Sequence, residues 1–168
     1  MTQYKIRRLR GDDASSFREI RLEALVSHPE AFGASWEDEQ NKSLESIADR
    51  LEQGYVLGGI SDGGVLTGII GLSKSTAVKT QHIGSIWGMY VRPVARGSGL
   101  SRQLVAAIID EVGTTLRSLR LCVVSSNQAA IRLYKSMGFE EWAVEVDALK
   151  VDDRYYDELL MRLEIGPR

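Results

Sequence analysis

Residues 91–101 read Val-Arg-Pro-Val-Ala-Arg-Gly-Ser-Gly-Leu-Ser. A β-type run over Ile83–Val91 leads into this stretch, and a helical run over Leu100–Val112 follows it. The first turn of a helix has backbone N–H groups without partners and carries the positive end of the helix dipole. Glycines such as Gly97 and Gly99 allow a phosphate to approach that backbone closely. The stretch therefore predicts a binding site for a phosphorylated ligand.

The pattern of this turn does not fit two common nucleotide motifs. A P-loop needs Gly-Lys-Ser/Thr after the glycines, and none follows here. The dinucleotide fingerprint needs a glycine three residues after Gly99, where the chain has Arg102, and its strand normally opens the domain. A nucleotide-binding domain of another class is still an alternative, because one glycine-rich turn is weak evidence by itself.

Two motifs carry a resemblance to a known family. Residues 96–101 are similar to the acetyl-CoA signature Gln/Arg-x-x-Gly-x-Gly/Ala of the GNAT N-acetyltransferase superfamily, with Ser101 in place of the last Gly or Ala. Residues 127–139 resemble the second cofactor motif of that family, Asn-x-x-Ala-x-x-Leu-Tyr-x-x-x-Gly-Phe. The two motifs have the family's order and spacing, and the resemblance covers roughly residues 82–140.

The resemblance implies an N-acetyltransferase that moves an acetyl group from acetyl-CoA directly to an amine. It implies that backbone N–H groups of the turn bind the CoA pyrophosphate, with added charge from Arg96, and that the strand end holds the pantetheine arm. A backbone N–H near Met89 is expected to polarise the thioester carbonyl, and Asn127 to contact the cofactor while it also caps a helix. The implied cofactor-binding residues are Met89, Tyr90, Val91, Arg96, Gly97, Ser98, Gly99, Leu100, Ser101, Arg102, Asn127 and Tyr134.

Tyr134 is the expected catalytic residue. In the family, the matching tyrosine hydrogen-bonds or protonates the departing CoA thiolate, and a reference pKa of about 10 keeps that proton on tyrosine at neutral pH. No activated nucleophile and no group of metal ligands is apparent, so we expect neither an acetyl-enzyme nor a metal. The alternative from a different class is a non-catalytic acyl-CoA-binding module.

The acceptor side is harder to read from the sequence. A primary amine with a reference pKa near 10.4 must lose a proton before it attacks. Glu23, Glu30 and Glu39 are candidate bases, a water chain is another, and each of these acids also suits a solvated surface. Phe32 and Trp36 form either the aromatic wall of an amine pocket with an acidic rim or the apolar anchors of a loop. The candidate acceptor-site residues are Glu23, Phe32, Trp36 and Glu39.

The element pattern predicts one domain over residues 1–168, with the order β-α-α-β-β-β-α-β-α-β-β. The fold class is α/β, an α+β mixed sheet of about seven mostly antiparallel strands flanked by about four helices, as in the GNAT fold. Phe32 and Trp36 fall in a predicted loop. Leu119–Val124 is interpreted as a strand buried on both faces, which makes Cys122 an inert buried thiol.

Composition narrows the class of partner. The chain has a net charge of −2 with dispersed basic residues, which argues against nucleic-acid binding. No apolar run approaches the roughly 20 residues that span a bilayer, and the first residues lack the apolar centre of a signal peptide. Cys122 is the single cysteine. We expect a cytoplasmic protein whose partner is a small-molecule or peptide amine; the resemblance adds a possible homodimer.

Overall fold

The computed structural model describes residues 3–166, so the first two and last two residues of the predicted domain lie outside it. Seven strands form one sheet in the order β1-β2-β3-β4-β5-β7-β6. Every neighbouring pair is antiparallel except β4 and β5, which are parallel. The mixed, mostly antiparallel sheet confirms the predicted fold class. The strands are β1 Tyr4–Arg8, β2 Tyr55–Ser61, β3 Leu66–Lys74, β4 Ile83–Val91, β5 Ser118–Val124, β6 Glu140–Val151 and β7 Arg154–Glu164.

Five α-helices lie in the described part of the chain, one more than predicted. The additional helix, α2, forms in the segment that was predicted as a loop. It begins because the Ser35 hydroxyl accepts a hydrogen bond of 3.1 Å from the backbone N–H of Asp38, which caps the first turn. No helix within residues 3–166 is long and apolar enough to cross a bilayer. The helices are α1 Ala14–Ser27, α2 Trp36–Glu39, α3 Leu44–Gln53, α4 Leu100–Val112 and α5 Gln128–Ser136.

The sheet has a hydrophobic cluster on each face. Ile69 and Ile70 are adjacent on β3 and belong to different clusters, which places the clusters on opposite sides because strand side chains alternate. Helix α4 covers one face with its predicted apolar stripe, and α1 and α3 cover β2, β3 and β4 on the other. Gly59 allows the fully buried Leu100 to reach the sheet, since a Cβ there would lie 2.5 Å from its Cδ1 atom.

Strand β5 does not have the two buried faces that were predicted. Leu119 and Leu121 are buried beneath α4, whereas Arg120 and Cys122 are exposed between them. The helices of the opposite face pack over β2, β3 and β4 and leave that side of β5 uncovered at Arg120 and Cys122, whereas Val124 at its end is buried. The prediction that Cys122 is buried is therefore wrong, although partial burial and then Glu158 raise the pKa of its thiol, as expected for an unreactive cysteine.

The parallel strands β4 and β5 separate part-way along their length. They pair from Ile83 with Ser118 to Ser85 with Arg120, and no pairing follows. Beyond that point β4 carries a bulge, because its register against β3 shifts by one residue and Gly88 has a φ of +63°. The resulting gap opens toward the carboxyl ends of both strands, where the 91–101 stretch begins.

Candidate active site

The turn between β4 and α4 presents an open row of backbone donors. Gly97 and Gly99 have φ values of +73° and +86°, a conformation that costs glycine little and other residues more. Apart from that of Leu100, the N–H groups of residues 97–102 donate to no acceptor in the described part of the chain. A Cβ at Gly97 would meet nothing within 4 Å. The turn therefore has the unpaired donors and the open space that a phosphate group requires.

Three other residues of the turn use their side chains within the protein. The Ser98 hydroxyl donates to the carbonyl oxygen of Ala95 at 2.6 Å, and the Leu100 side chain is buried in the core. Arg102 Nη1 donates to the Ser136 hydroxyl at 3.0 Å and so connects α4 with α5.

Arg96 turns its charge toward the end of β4. Its Nε donates to the carbonyl oxygen of Val91 at 3.1 Å, and its Nη2 lies 3.3 Å from His28 Nε2. The guanidinium carbon also lies 5.8 Å from the centre of the Tyr90 ring. The guanidinium of Arg96, which was expected to lie at the pyrophosphate, therefore lies where β4 ends and the turn begins.

A cleft of about 450 Å³ lies between the ends of β4 and β5; we call it the strand-end cleft. Six of the expected cofactor-binding residues line it: Met89, Tyr90, Val91, Arg96, Ser101 and Asn127. Asn127 Oδ1 accepts a hydrogen bond of 3.1 Å from the backbone N–H of Ala130, so the residue caps α5 at the border of the cleft. The remaining lining is His28, Glu30, Ala31, Phe32, Val124, Ser126, Ala129, Ala130 and Leu133.

Tyr134 lies on α5 just behind this cleft. Ala130 and Leu133 of the same helix line the cleft, whereas Tyr134 is buried with its ring edge-to-face against Phe139, 5.7 Å between centres. Burial raises the pKa of its hydroxyl above the ordinary value, so the hydroxyl keeps its proton at neutral pH. Within residues 3–166 no group forms a hydrogen bond with that hydroxyl.

Glu23 joins α1 to the end of β4. Its Oε1 accepts a hydrogen bond of 3.0 Å from the Tyr90 hydroxyl, and its Oε2 accepts one of 2.9 Å from Arg92 Nε. Burial, and then Glu23 itself, raise the pKa of Tyr90. Both carboxylate oxygens of this predicted acceptor residue are thus engaged inside the protein, and Glu23 lines neither this cleft nor the one described next.

A second cleft, of about 600 Å³, runs along the α1 side of the strand gap; we call it the bulge cleft because Trp87 and Gly88 contribute to it. It adjoins the strand-end cleft at Ala31 and Phe32, which line both. Trp36 lines a third cleft beside the β6–β7 hairpin instead. The bulge cleft is lined by Arg21, Ala31, Phe32, Gly33, Ala34, Ser85, Ile86, Trp87, Gly88, Arg120, Leu121, Cys122, Trp142, Glu158 and Leu160.

Glu39 is the centre of a buried ion cluster rather than a solvated acid. Its Oε1 lies 3.4 Å from Arg21 Nη2 and 3.5 Å from both Arg50 Nη1 and Lys42 Nζ. Burial alone would raise the pKa of Glu39, but Arg21 and the other two cations hold it below the ordinary value. A carboxylate held in this way is a poor proton acceptor, and Glu39 lines neither cleft.

Several lining residues of the bulge cleft could not be recognised in the sequence, among them Arg21, Trp142 and Glu158. Glu158 is half-buried and pairs across the strands with Glu145. Burial first, and Glu145 second, raise its pKa. The feature of the sequence that could have indicated Glu158 is its position directly before the apolar pair Leu159-Leu160. In the described residues, no group of three or more His, Cys, Asp or Glu side chains is placed to hold a metal ion.

Comparison with known proteins identifies the family. The model of the acetyltransferase (GNAT) family matches residues 17–139. The chain belongs to the GNAT family. It is 31% identical over 143 residues to the mycothiol acetyltransferase of Thermobispora bispora, an alignment covering 81% of this chain and 46% of that protein. The corresponding protein of Nocardiopsis dassonvillei is 29% identical over 142 residues, with 81% and 42% covered. This GNAT chain thus spans less than half the length of these curated relatives.

Solved structures share the fold of this GNAT domain. A GNAT acetyltransferase from Streptococcus pneumoniae superposes with a TM-score of 0.85 at 22% identity, covering 98% of this chain and all of that one. A protein of Salmonella typhimurium, solved with acetyl-CoA, gives 0.86 at 23% identity over 99% and 96%. A ribosomal-protein-alanine N-acetyltransferase from Brucella melitensis gives 0.80 at 24% identity over 95% and 99%.

Proposed function

We propose that this GNAT domain transfers an acetyl group from acetyl-CoA directly to the amine of a small molecule or peptide. The observation that carries the proposal is the separation of β4 from β5 beyond Ser85, which ends in a turn of unpaired N–H groups. A pantetheine arm that enters the gap reaches unpaired strand backbone, while the diphosphate of the same CoA molecule reaches the turn. Positioning the two substrates in adjoining clefts supplies much of the rate of such a reaction.

The residues of the turn fit a CoA diphosphate. Oxygens of a diphosphate accept hydrogen bonds from N–H groups, and the turn offers these at the N-terminus of α4, where the helix dipole favours negative charge. Ser101 is small and lines the strand-end cleft, so its departure from the family signature leaves room for the ligand. At the other end of the cleft, Met89 lies on the part of β4 that β5 no longer pairs.

Counted from the neutral amine, acetyl transfer moves two protons, because the nitrogen loses one when the amide forms and the sulfur gains one. The lone pair of the amine forms a bond to the carbonyl carbon of the thioester, the carbon–sulfur bond breaks, and the sulfur keeps the electron pair. Tyr134 is proposed to donate a proton to that sulfur, because its hydroxyl is protonated at neutral pH and it lies on α5 beside Ala130 and Leu133, which line the strand-end cleft. Among the described residues, Glu158 is the one carboxylate that lines the bulge cleft, and we assign it the proton that the amine loses.

The test is an assay of CoA release with a panel of amines, combined with calorimetric titration of acetyl-CoA. For Tyr134→Phe we expect a fall in kcat of about a hundredfold, at the lower end of the effect of a general acid, with the Kd for acetyl-CoA within about twofold of wild type. Tyr155→Phe is the matched control, since Tyr155 is exposed on β7 and lines neither cleft. An unchanged kcat in Tyr134→Phe contradicts the assignment of the general acid.

The same measurements separate the alternatives. Binding of acetyl-CoA without CoA release for any amine supports a non-catalytic acyl-CoA-binding module. Protection against heating by ATP or NAD but not by CoA supports a nucleotide-binding domain of another class. A homodimer and a cytoplasmic location stay predictions from the sequence.

A further inference from the structure

We propose that the acceptor is a free amino acid, whose carboxylate is bound by Arg21 in the bulge cleft while its amino group faces Glu158. This inference rests on the proposed function, because it names the substrate of the same reaction.

The first observation is a buried guanidinium with unused donors. The side chain of Arg21 is 6% exposed, and its only hydrogen bond to a residue within 3–166 is a long one, 3.4 Å, from Nη2 to Glu39 Oε1. Its Nε and Nη1 are buried and have no partner. Buried N–H groups are almost always satisfied, and leaving charged ones unpaired is costly. Because Arg21 lines the bulge cleft, a ligand that supplies oxygen acceptors there removes that cost.

The second observation is an excess of positive charge behind this wall of the cleft. Glu39 is one carboxylate facing three cations, namely Arg21, Arg50 and Lys42. Arg21 also lies against the rings of Phe32 and Trp87, at 5.5 and 5.6 Å, which bring no formal charge. The cluster therefore has more positive than negative charge, and an anionic ligand would balance the excess.

The third observation places this anion site next to the site of transfer. Arg21 Nη1 would lie 3.2 Å from a Cβ built on Gly88, so the guanidinium rests on the bulge of β4. Gly88 immediately precedes Met89, which lines the strand-end cleft. An amino group one carbon away from a carboxylate bound at Arg21 thus lies close to the region where the thioester is proposed to sit.

The fourth observation concerns the opposite wall. The bulge adds one residue to β4, so counting along β4 and β5 past Ser85 and Arg120 brings Val124 level with Tyr90, the residue after Met89, and Val124 pairs with Glu158 of β7. Glu158 therefore lies across the strand gap one residue beyond the level of Met89, beside Glu145. A cationic ammonium group relieves the repulsion between these two acids, and a carboxylate of raised pKa accepts a proton more readily than an ordinary one.

The remaining walls indicate which amino acids fit. Between Arg21 and Glu158 the lining is largely apolar or aromatic, and its volume of about 600 Å³ is in the range of small-molecule sites. We therefore expect apolar or aromatic side chains on the acceptor. The apolar lining residues are Ala31, Phe32, Ala34, Ile86, Trp87, Leu121, Trp142 and Leu160.

The experiment compares pairs of acceptors that differ only in the carboxylate. Leucine is paired with isoamylamine and phenylalanine with phenethylamine, and kcat/KM is measured by CoA release with wild-type protein at saturating acetyl-CoA. We expect the amino acids to exceed the matching amines at least tenfold. Equal or reversed values overturn the inference while leaving the proposed function intact. If no amine in the panel releases CoA, the proposed function fails as well.

A variant tests whether Arg21 is the cause. Arg21→Met keeps the apolar stem and removes the charge, so it is expected to abolish the preference for amino acids while kcat/KM for the matching amines changes less than threefold. Arg154→Met, at an exposed site on β7, is the control. A uniform loss on both kinds of acceptor contradicts the inference, because it indicates a structural role. If Arg21→Met does not fold, the wild-type comparison still decides.

Discussion

Arg96 Nε donates a hydrogen bond of 3.1 Å to the carbonyl oxygen of Val91 and so closes a ring between the end of β4 and the turn that follows it. The bond holds the first unpaired N–H groups of the turn at a set distance from the strand gap. It also occupies a strand carbonyl at the border of the strand-end cleft.

Replacing Arg96 with methionine is expected to weaken acetyl-CoA binding by about tenfold. A hydrogen bond from a charged group contributes roughly 1.5–3 kcal/mol, and the partly exposed position of Arg96 brings the effect to the lower end. Calorimetric titration of acetyl-CoA measures it. Arg154→Met should leave the Kd unchanged, and a similar loss in both variants would contradict a specific role for Arg96.

Gly97→Ala is expected to reduce both stability and acetyl-CoA binding, whereas Gly64→Ala reduces stability alone. The two glycines have φ values of +73° and +79°, and a Cβ would meet nothing within 4 Å at either position. The left-handed conformation should cost each alanine variant roughly 1–2 kcal/mol of unfolding free energy. Only Gly97 belongs to the turn with the open row of donors. Urea unfolding and calorimetry separate the two effects, and equal Kd values for acetyl-CoA would refute the role of the turn.

Asn127→Ala and Ser43→Ala remove two equivalent helix caps. Asn127 Oδ1 and Ser43 Oγ each accept a backbone N–H at 3.1 Å, so each substitution should cost about 1 kcal/mol of stability. Asn127 lines the strand-end cleft and Ser43 does not. We therefore expect a weaker Kd for acetyl-CoA in Asn127→Ala alone. The same Kd for acetyl-CoA in the two variants would contradict a contact between Asn127 and the cofactor, and capping of α5 would be its only role.

Glu158→Gln is expected to raise the melting temperature at pH 8 and to leave it unchanged at pH 4. The pKa of Glu158 in the folded protein lies above its value of about 4.3 in the unfolded chain. The stability that the protonated side chain contributes is therefore complete below about pH 4.3 and is lost as the pH rises through the raised pKa. Thermal unfolding across this range checks the sign, with the exposed Glu140→Gln as the control. A higher melting temperature for Glu158→Gln at pH 4 as well would contradict the assignment.

Features that depend on a few neighbouring residues could be predicted from the sequence. The turn at Gly97 and Gly99, the buried stripe of α4 and the cap at Asn127 each follow from local chemistry. The class of the sheet was predicted because the order of its elements permits few topologies. Helix α2 was not predicted because its four residues have only a weak helical pattern. The cap provided by Ser35 is enough to form the helix in spite of that.

The proposed acceptor site depends on contacts that no local pattern encodes. Arg21 meets Gly88 only because α1 packs over the bulge of β4. Glu158 comes close to the level of Met89 through the registers of three strands, β4, β5 and β7. The exposure of Cys122 is set by where the covering helices stop. Glu39 looked like one of several surface acids, and only the fold brings three cations to it.

The turn after β4 and the bulge cleft differ in the groups that they offer a ligand: main-chain groups in the turn and side chains in the cleft. The turn that follows β4 works through main-chain donors and glycine conformations, which most substitutions elsewhere leave in place. The bulge cleft works through side chains from separate elements, such as Arg21 on α1, Trp87 on β4 and Glu158 on β7. Mutation can therefore exchange those side chains one at a time while the turn keeps its ligand. During evolution, a sheet that separates in this way can change its acceptor by substitutions in one cleft while the turn proposed to bind acetyl-CoA is unchanged.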